Sequence, residues 1–578
     1  MEQILYSHLD KIAQGALGDG TIATKDLWQP MAYEAGDIKG TMLISGEDSY
    51  PEPITLKLNA EGWHRVFICA GNVAHATALE LEITGEGKTA LEPEELWGYW
   101  APYEKAQEVL FKCMDLTGRD LIINKPHEDI SRHFAAAVYY VRLEPMTEQE
   151  VAEYKRSRLE KTIQYHFDND HIKECDYHTA EDYLGRLKML EHGNGDMLIY
   201  ETDFDDSNPK DGKERLTYYL WTKDQAKAQI KYLNKREAIL ENVHKCANDM
   251  GMAVYSGFRM AIGGYMAPQI SSCWDSEVAK KYPECQMVMR DGTRLPMLSY
   301  AYPEARAAMI ERIVTLTPDY FEGVSLFFHR LPFSCAFEQP VLDEIQKRFG
   351  VDGRLLPMSD PRWFAVASDI VTSFVKELKQ ALNQKAQKAD HAPYKINIIT
   401  LITPKKSEIL GLDLERLCRE GLIDSFSQGL MDYWEDLDGC LNADGLIDLD
   451  KYVEKKKTDY VIKRYFGDHP EFVTDGLEQF LCLSDKYGMD FYAALPWQNK
   501  DAAYFLNCAK ALYEKGAKKL ICWNANHVAR KPKTLEAVKW AGDKNASLNR
   551  QFTYPGKTVK ITSVNGNDIS VVDMHWQG

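Results

Sequence analysis

In the stretch DFYAALPWQNKDAAYFLNCAKALYEKGAKKLICWNA (490–525), two β-rich runs flank one helical pattern. The runs are DFYAALPW (490–497) and KKLICWNA (518–525). Between them NCAKALYEKG has helical spacing and ends in a Gly suited to a helix C-cap. Strand, helix and strand in that order make a βαβ unit, the building block of parallel sheets. The same rhythm extends back to about residue 160 through TIQYHFD (162–168), DMLIYETD (196–203), MAVYSGFR (252–259), GVSLFFHR (323–330), KINIITLI (395–402) and IDSFSQGL (423–430). Eight such repeats predict an α/β fold, a (β/α)8 TIM barrel with enlarged loops. An open doubly wound sheet is the competing architecture. It calls for a Gly-rich phosphate loop after an early strand, and neither G-x-G-x-x-G nor G-x-x-x-x-G-K-[ST] occurs in the chain.

Upstream of the barrel the pattern is all-β. ITLKLNA (54–60), WHRVFICAG (63–71), TALELEITG (77–85), EVLFKCMDLTG, RDLIINKP and AAAVYYVRLEP are short strand-like runs separated by turn residues, as in a β-sandwich or jelly roll. MTEQEVAEYKRSRLEKT then reads as a connector helix. Downstream, VKITSV and ISVVDM flank Asn565-Gly566-Asn567-Asp568, a hairpin signal, which adds strands to the N-terminal region or forms a small cap. The expected domains are therefore a sandwich over 1–150, a barrel over 151–545 and a C-terminal β segment over 546–578.

The chain has 578 residues and a formal net charge of −18, with 45% apolar and 27% charged residues. This is a globular composition of more than one domain. The acidic balance argues against nucleic-acid and anionic-membrane partners, which need a basic face. No apolar run is long enough for a membrane span, and the N-terminus lacks a signal-peptide pattern. The 12 cysteines form no C-x-x-C pair. Together these features predict a cytoplasmic protein with structural thiols and no cofactor. Homo-oligomer formation is left open.

A TIM barrel gathers its chemistry at the C-terminal strand ends. There the chain places His166, Asp168, Asp170 and His171 after the first strand, and Glu201, Asp203, Asp205 and Asp206 after the second. Arg259 ends the third strand, and His329 and Arg330 the fourth, with Glu338 shortly after. Asp432 and Trp434 follow the sixth strand, Trp497 ends the seventh, and Trp523 and Asn524 end the eighth. Paired carboxylates do the acid and nucleophile or base work of glycoside hydrolysis. Indoles stack on sugar faces, and Arg and His hold hydroxyl or acidic groups. Each residue also has a plainer role: packing for Trp497 and Trp523, a solvated loop for Asp205 and Asp206, a buried ion pair for Arg330, a helix N-terminus for Glu338. The segment HFDNDHIKECDYH offers His166, Asp168, His171, Cys175 and His178 as metal ligands, though such clusters are more often loops.

The segment YFEGVSLFFHRLP (320–332) resembles the strand-four motif D-G-V-x-x-D-Y-x-R-Y-P of the glycosyl-hydrolase-like family ten proteins, which are TIM-barrel glycosidase-like proteins. ENVHKCANDMGMAVYSGFR, DGTRLPMLSYAYPEARAAMIERI and FEQPVLDEIQKRFGVDGRLLP are similar to neighbouring passages of such barrels, and the likeness spans roughly 160–530. The N-terminal β-rich region also looks like their accessory domain. The resemblance implies hydrolysis of a glycosidic bond. Arg330 and Pro332 match the motif, but its Asp aligns with Phe327, which cannot transfer a proton.

The expectation is an enzyme cleaving a small imported sugar or glycoside. Glu338 is the expected general acid, with Asp203 or Asp432 as nucleophile or base. Tyr200, Glu201, Arg259, His329, Arg330, Trp434, Trp497, Trp523 and Asn524 are the expected substrate contacts. Two alternatives stand beside it: a non-catalytic carbohydrate-binding barrel, and a lyase or isomerase with a metal at His166, Asp168 and His171.

Overall fold

The computed structural model describes residues 2–20, 26–46, 49–72, 79–92, 94, 105–125, 136–156, 160–168, 177–202, 223–260, 281–292, 294–330, 334–357, 360–430, 473–474, 476–497 and 500–568. Its centre is a closed barrel of eight strands. They are β1 (Ile163–Phe167), β2 (Gly195–Glu201), β3 (Ala253–Arg259), β4 (Gly323–Phe327), β5 (Lys395–Ile399), β6 (Ser425–Ser427), β7 (Asp490–Ala494) and β8 (Lys519–Cys522). Neighbours run parallel, and β1 closes the ring on β8 with Ile163 opposite Leu520. All eight runs expected from the sequence are barrel strands, and the α/β barrel class is the observed one. Helices pack outside, among them Lys223–Asp249, Pro361–Lys388 and Ala502–Glu514. Asp501 caps the last of these by accepting from the Tyr504 N–H at 2.8 Å. The Gly expected to end the helix Leu477–Tyr487 is Gly488, in the left-handed conformation at φ 64°.

Side chains alternate across a strand, so the register sorts them into inward and outward sets. The inward middle of the barrel is polar. Asn397 Nδ2 donates to Ser325 Oγ at 2.8 Å, Ser425 Oγ donates to Asn397 Oδ1 at 2.9 Å, and Ser427 Oγ lies 2.6 Å from Gln164 Oε1. These buried groups satisfy one another, which keeps a polar core affordable. Above them, toward the C-terminal strand ends, the inward positions are His166, Glu201, Arg259, Phe327 and Trp523. Gly257 lies among them because a Cβ there would come within 2.6 Å of Phe327 Cζ and 3.0 Å of Ile199 Cγ2.

Among the described residues, the N-terminal region supplies six strands of a nine-stranded antiparallel sheet and all of a five-stranded one, and shares one apolar core with the barrel. The sequence reading did not include the hairpin Gln29–Ala35 and Ile38–Ser45, which turns at Gly36 (φ 59°). The connector is the helix Glu148–Arg156. The C-terminal segment adds strands to the larger sheet: Lys557–Lys560 pairs with 105–108 along one edge, and Ser563–Val564 pairs with 33–34 along the other. Asn565 (φ 49°) and Gly566 (φ 76°) turn the expected hairpin into Asn567–Asp568. No helix among the described residues is long and apolar enough to cross a membrane.

Candidate functional site

The inward side chains at the C-terminal mouth form one buried cluster. His166 leaves β1 and places Nε2 2.8 Å from Glu201 Oε1 on β2. Its Nδ1 receives the backbone N–H of Asn524 at 3.3 Å and lies 3.1 Å from Asn524 Oδ1. The Nε2–H tautomer satisfies the carboxylate and the backbone amide together, and a half-turn of the Asn524 amide turns its NH2, in place of its oxygen, toward the Nδ1 lone pair. Asn524 can offer both groups because it takes a left-handed conformation (φ 48°), which Asn tolerates better than most residues, just before the short helix Ala525–Val528.

Arg259, the last residue of β3, joins two carboxylates. Its Nη2 lies 2.9 Å from Glu201 Oε2 and 3.4 Å from Asp168 Oδ2. Asp168 is fixed through its backbone: its N–H donates to Asn526 Oδ1 at 3.1 Å, and its carbonyl accepts from Asn526 Nδ2 at 2.7 Å. Glu201, Asp168, Arg259 and His166 are all buried. With a neutral imidazole the four groups sum to one negative charge, and with an imidazolium to zero. A paired arrangement of this kind is what allows charges to be held away from water.

Rings complete the cluster. Trp523 stands 4.8 Å, centroid to centroid, from both His166 and His329, each at 58°. Phe327 meets His166 edge-on at 5.3 Å. The Trp523 Nε1–H is buried and has no hydrogen-bond partner among the described residues. Gly429 permits this packing, since a Cβ there would approach His329 Cβ to 3.0 Å.

Of the expected substrate contacts, the structure brings together Glu201, Arg259, His329, Trp523 and Asn524. Tyr200 is one residue out of phase with Glu201; it pairs with Phe167 and faces the helical layer, 6.4 Å from that ring. Trp497 is partly buried against the barrel core. Asp203, Asp432, Trp434 and the side chain of Arg330 lie outside the described residues, as do Asp170, His171, Cys175, Asp205 and Asp206.

Glu338 has different surroundings. It is fully buried and accepts from the Val288 N–H at 3.0 Å and the Ala336 N–H at 2.7 Å, tying the strand Gln286–Val288 to the start of the helix Gln339–Phe349. Burial pushes its carboxyl up to about 7, against the pull of those backbone donors. Its hydrogen bonds go to those backbone amides and to the Ser299 side chain, and none joins it to the His166 group among the described residues. As for metal chemistry, both His166 ring nitrogens already face hydrogen-bonding partners. His166 and Asp168 appear in the sequence reading as strand-end and metal candidates; their partnership with Arg259 and Glu201 is visible only once register fixes which residues face inward. Asn526 gives no such signal, because its role depends on the turn after β8.

No family model and no curated protein matches the chain. Solved structures do. The glycoside hydrolase domain of PgaB (BpsB) from Bordetella bronchiseptica is similar over 66% of this chain and 98% of its own, at 13% identity and a TM-score of 0.40. A family GH18 chitinase from Cycas revoluta, in complex with allosamidin, is similar over 66% of this chain and 99% of its own, at 10% identity and a TM-score of 0.35. An α-amylase from Lactobacillus plantarum covers 67% of this chain and 80% of its own, at 14% identity and a TM-score of 0.34. Likenesses this distant carry no argument about chemistry, which rests on the side chains described above.

Proposed function

We propose that this chain is a glycoside hydrolase-like enzyme, cleaving a glycosidic bond in a small imported sugar or glycoside in the cytoplasm. The observation that supports this most is the convergence of Asp168 and Glu201 on one nitrogen of Arg259 at the barrel mouth. Glu201, held by both His166 and Arg259, suits the ionised nucleophile or charge-stabilising role. Asp168, with the longer contact to Arg259, suits proton transfer to the leaving oxygen. Because both oxygens touch Nη2, at 2.9 and 3.4 Å, they cannot be separated by more than those two distances together. That limit holds for the two nearest oxygens, and the roughly 5–5.5 Å separation of a retaining pair fits within it. Asp203 and Asp432 are the further carboxylates of this proposal, and Glu338 has the weaker claim because its oxygens hold backbone amides.

A screen of aryl glycosides and oligosaccharides tests the reading, with the first-formed anomer read by proton NMR. Turnover that survives in both Asp168→Asn and Glu201→Gln overturns the assignment. A second reading, a carbohydrate-binding barrel without turnover, draws support from Phe327, an inward ring where the resembling motif has Asp. It predicts sugar binding in calorimetry with no product.

A further inference from the structure

The strands that carry most of the cluster are β1, with His166 and Asp168, and β8, with Trp523, Asn524 and Asn526 after it. The chain that follows each of them is held by residues of the N-terminal two-sheet region, within 85–92 and at 94. On the β1 side, Lys188 Nζ donates to Gly85 O at 2.9 Å, and Lys88 N–H donates to Asp182 O at 3.2 Å. The backbones touch: a Cβ on Gly185 would come within 2.1 Å of Lys88 O.

The β8 side is held more closely. Glu92 N–H donates to Arg530 O at 2.8 Å, and Arg530 Nη2 returns a bond to Glu92 Oε2 at 2.8 Å. Two residues on, the helix Pro532–Ala541 begins with Pro at its first turn and no capping bond from its own N-cap side chain, Lys531. The N–H groups of Lys533 and Thr534 therefore need acceptors from elsewhere. Glu94 supplies them: its carboxylate accepts from Lys533 N at 2.8 Å, from Thr534 N at 3.1 and 3.2 Å, and from Thr534 Oγ1. A carboxylate at a helix N-terminus also meets the favourable end of the helix dipole. One side chain of the two-sheet region thus caps a barrel helix a few residues after Asn526.

We infer that Glu94, assisted by Glu92, is a positioning residue for the barrel site: it fixes the β8 loop so that Asn524 and Asn526 hold His166 and Asp168 in place. The two-sheet region is then part of the site's architecture, and the inference rests on the functional reading above only for its kinetic consequence. Asn524 meets the imidazole of His166 with its backbone N–H and its side-chain amide. A shift of that loop is therefore read directly at one of the 15 histidines, whether or not a substrate is known.

The test uses the full chain labelled with ¹⁵N-histidine, the His166 side-chain signals being assigned by their loss in His166→Gln. Glu94→Ala is expected to move those signals. With a substrate from the glycoside screen, it is also expected to lower kcat by about tenfold or more at nearly constant KM, as misplacement of reacting groups does. Glu94→Gln keeps a carbonyl acceptor for the helix amides and is expected to restore both. Arg65→Ala, which breaks ion pairs to Glu144 in the same sheet and to Glu150 in the connector helix, is expected to move neither. Should Glu94→Ala not fold, Thr534→Val carries the same readout. Unshifted His166 signals in the Glu94 or Thr534 variants, or an equal shift in Arg65→Ala, overturn the inference. If no glycoside is turned over, the functional reading fails while the imidazole signal still decides this one.

Discussion

His166 and Glu201 meet at 2.8 Å across the first two barrel strands, both buried, the imidazole giving its Nε2–H to the carboxylate. Neither has bulk water to fall back on, so each depends on the other and on Arg259. Removing one partner of a buried charged set costs about 3–5 kcal/mol, since the remainder stays buried and uncompensated. Glu201→Ala should lose stability on that scale in urea denaturation, and His166→Phe about 1–3 kcal/mol. The double variant should lose clearly less than the sum. Strict additivity would show that the two groups are not coupled.

Glu338 gives the fold a pH dependence of defined sign. Its folded value, about 7, lies above the ordinary 4.5, so the folded state holds its proton more tightly than the unfolded state does. Stability from this group is therefore fully present below pH 4.5 and lost as pH rises through 7, by on the order of 3 kcal/mol. Glu338→Gln lacks that titration, and its amide turns one acceptor toward a backbone N–H as a donor. The variant should be less stable than wild type at pH 5, with a gap that narrows by pH 7.5. A gap constant across that range in chemical denaturation would remove the titration from Glu338.

The Trp523 indole N–H is buried with no partner among the described residues, while the ring packs against His166 and His329. A buried unpaired donor costs about 1–3 kcal/mol unless a ligand engages it. Replacing Trp523 with 3-benzothienylalanine, a near-isostere without the N–H, should leave the melting temperature equal or higher. It should weaken binding of any sugar found in the screen. A lowered melting temperature would mean that the N–H already has a partner in the free protein.

Gly257 makes room for Phe327. An added methyl would stand 2.6 Å from the ring, so Gly257→Ala should cost about 1–3 kcal/mol by overpacking. Adding Phe327→Leu should recover part of the loss. If the double variant is no more stable than Gly257→Ala in thermal melts, the ring is not the obstacle.

The barrel was legible because each strand is a short apolar run between helical patterns, from TIQYHFD to KKLICWNA, and burial on both faces leaves that mark directly in composition. The site was legible in part, for a geometric reason. Strand ends name candidates, but inward direction depends on register, which separates Glu201 from its neighbour Tyr200. Glu338 shows a second limit. A carboxylate after a barrel strand looks catalytic until its hydrogen bonds are known, and here they go to the backbone of Val288 and Ala336. Glu94 left no local signal at all, because the helix it caps lies 440 residues away.

The C-terminal strands that line both edges of the larger sheet set when, during synthesis, that sheet can be completed. The Leu110 N–H donates to the Tyr554 hydroxyl at 3.0 Å, across 444 residues of chain. At about 5–20 residues per second, a ribosome needs on the order of 20 to 90 seconds to make that intervening length. During that interval the first-made sheet has two unpaired edges, the kind of surface that recruits other strands. The larger sheet is therefore complete only once residues 557–564 have been made and have paired with its two edges.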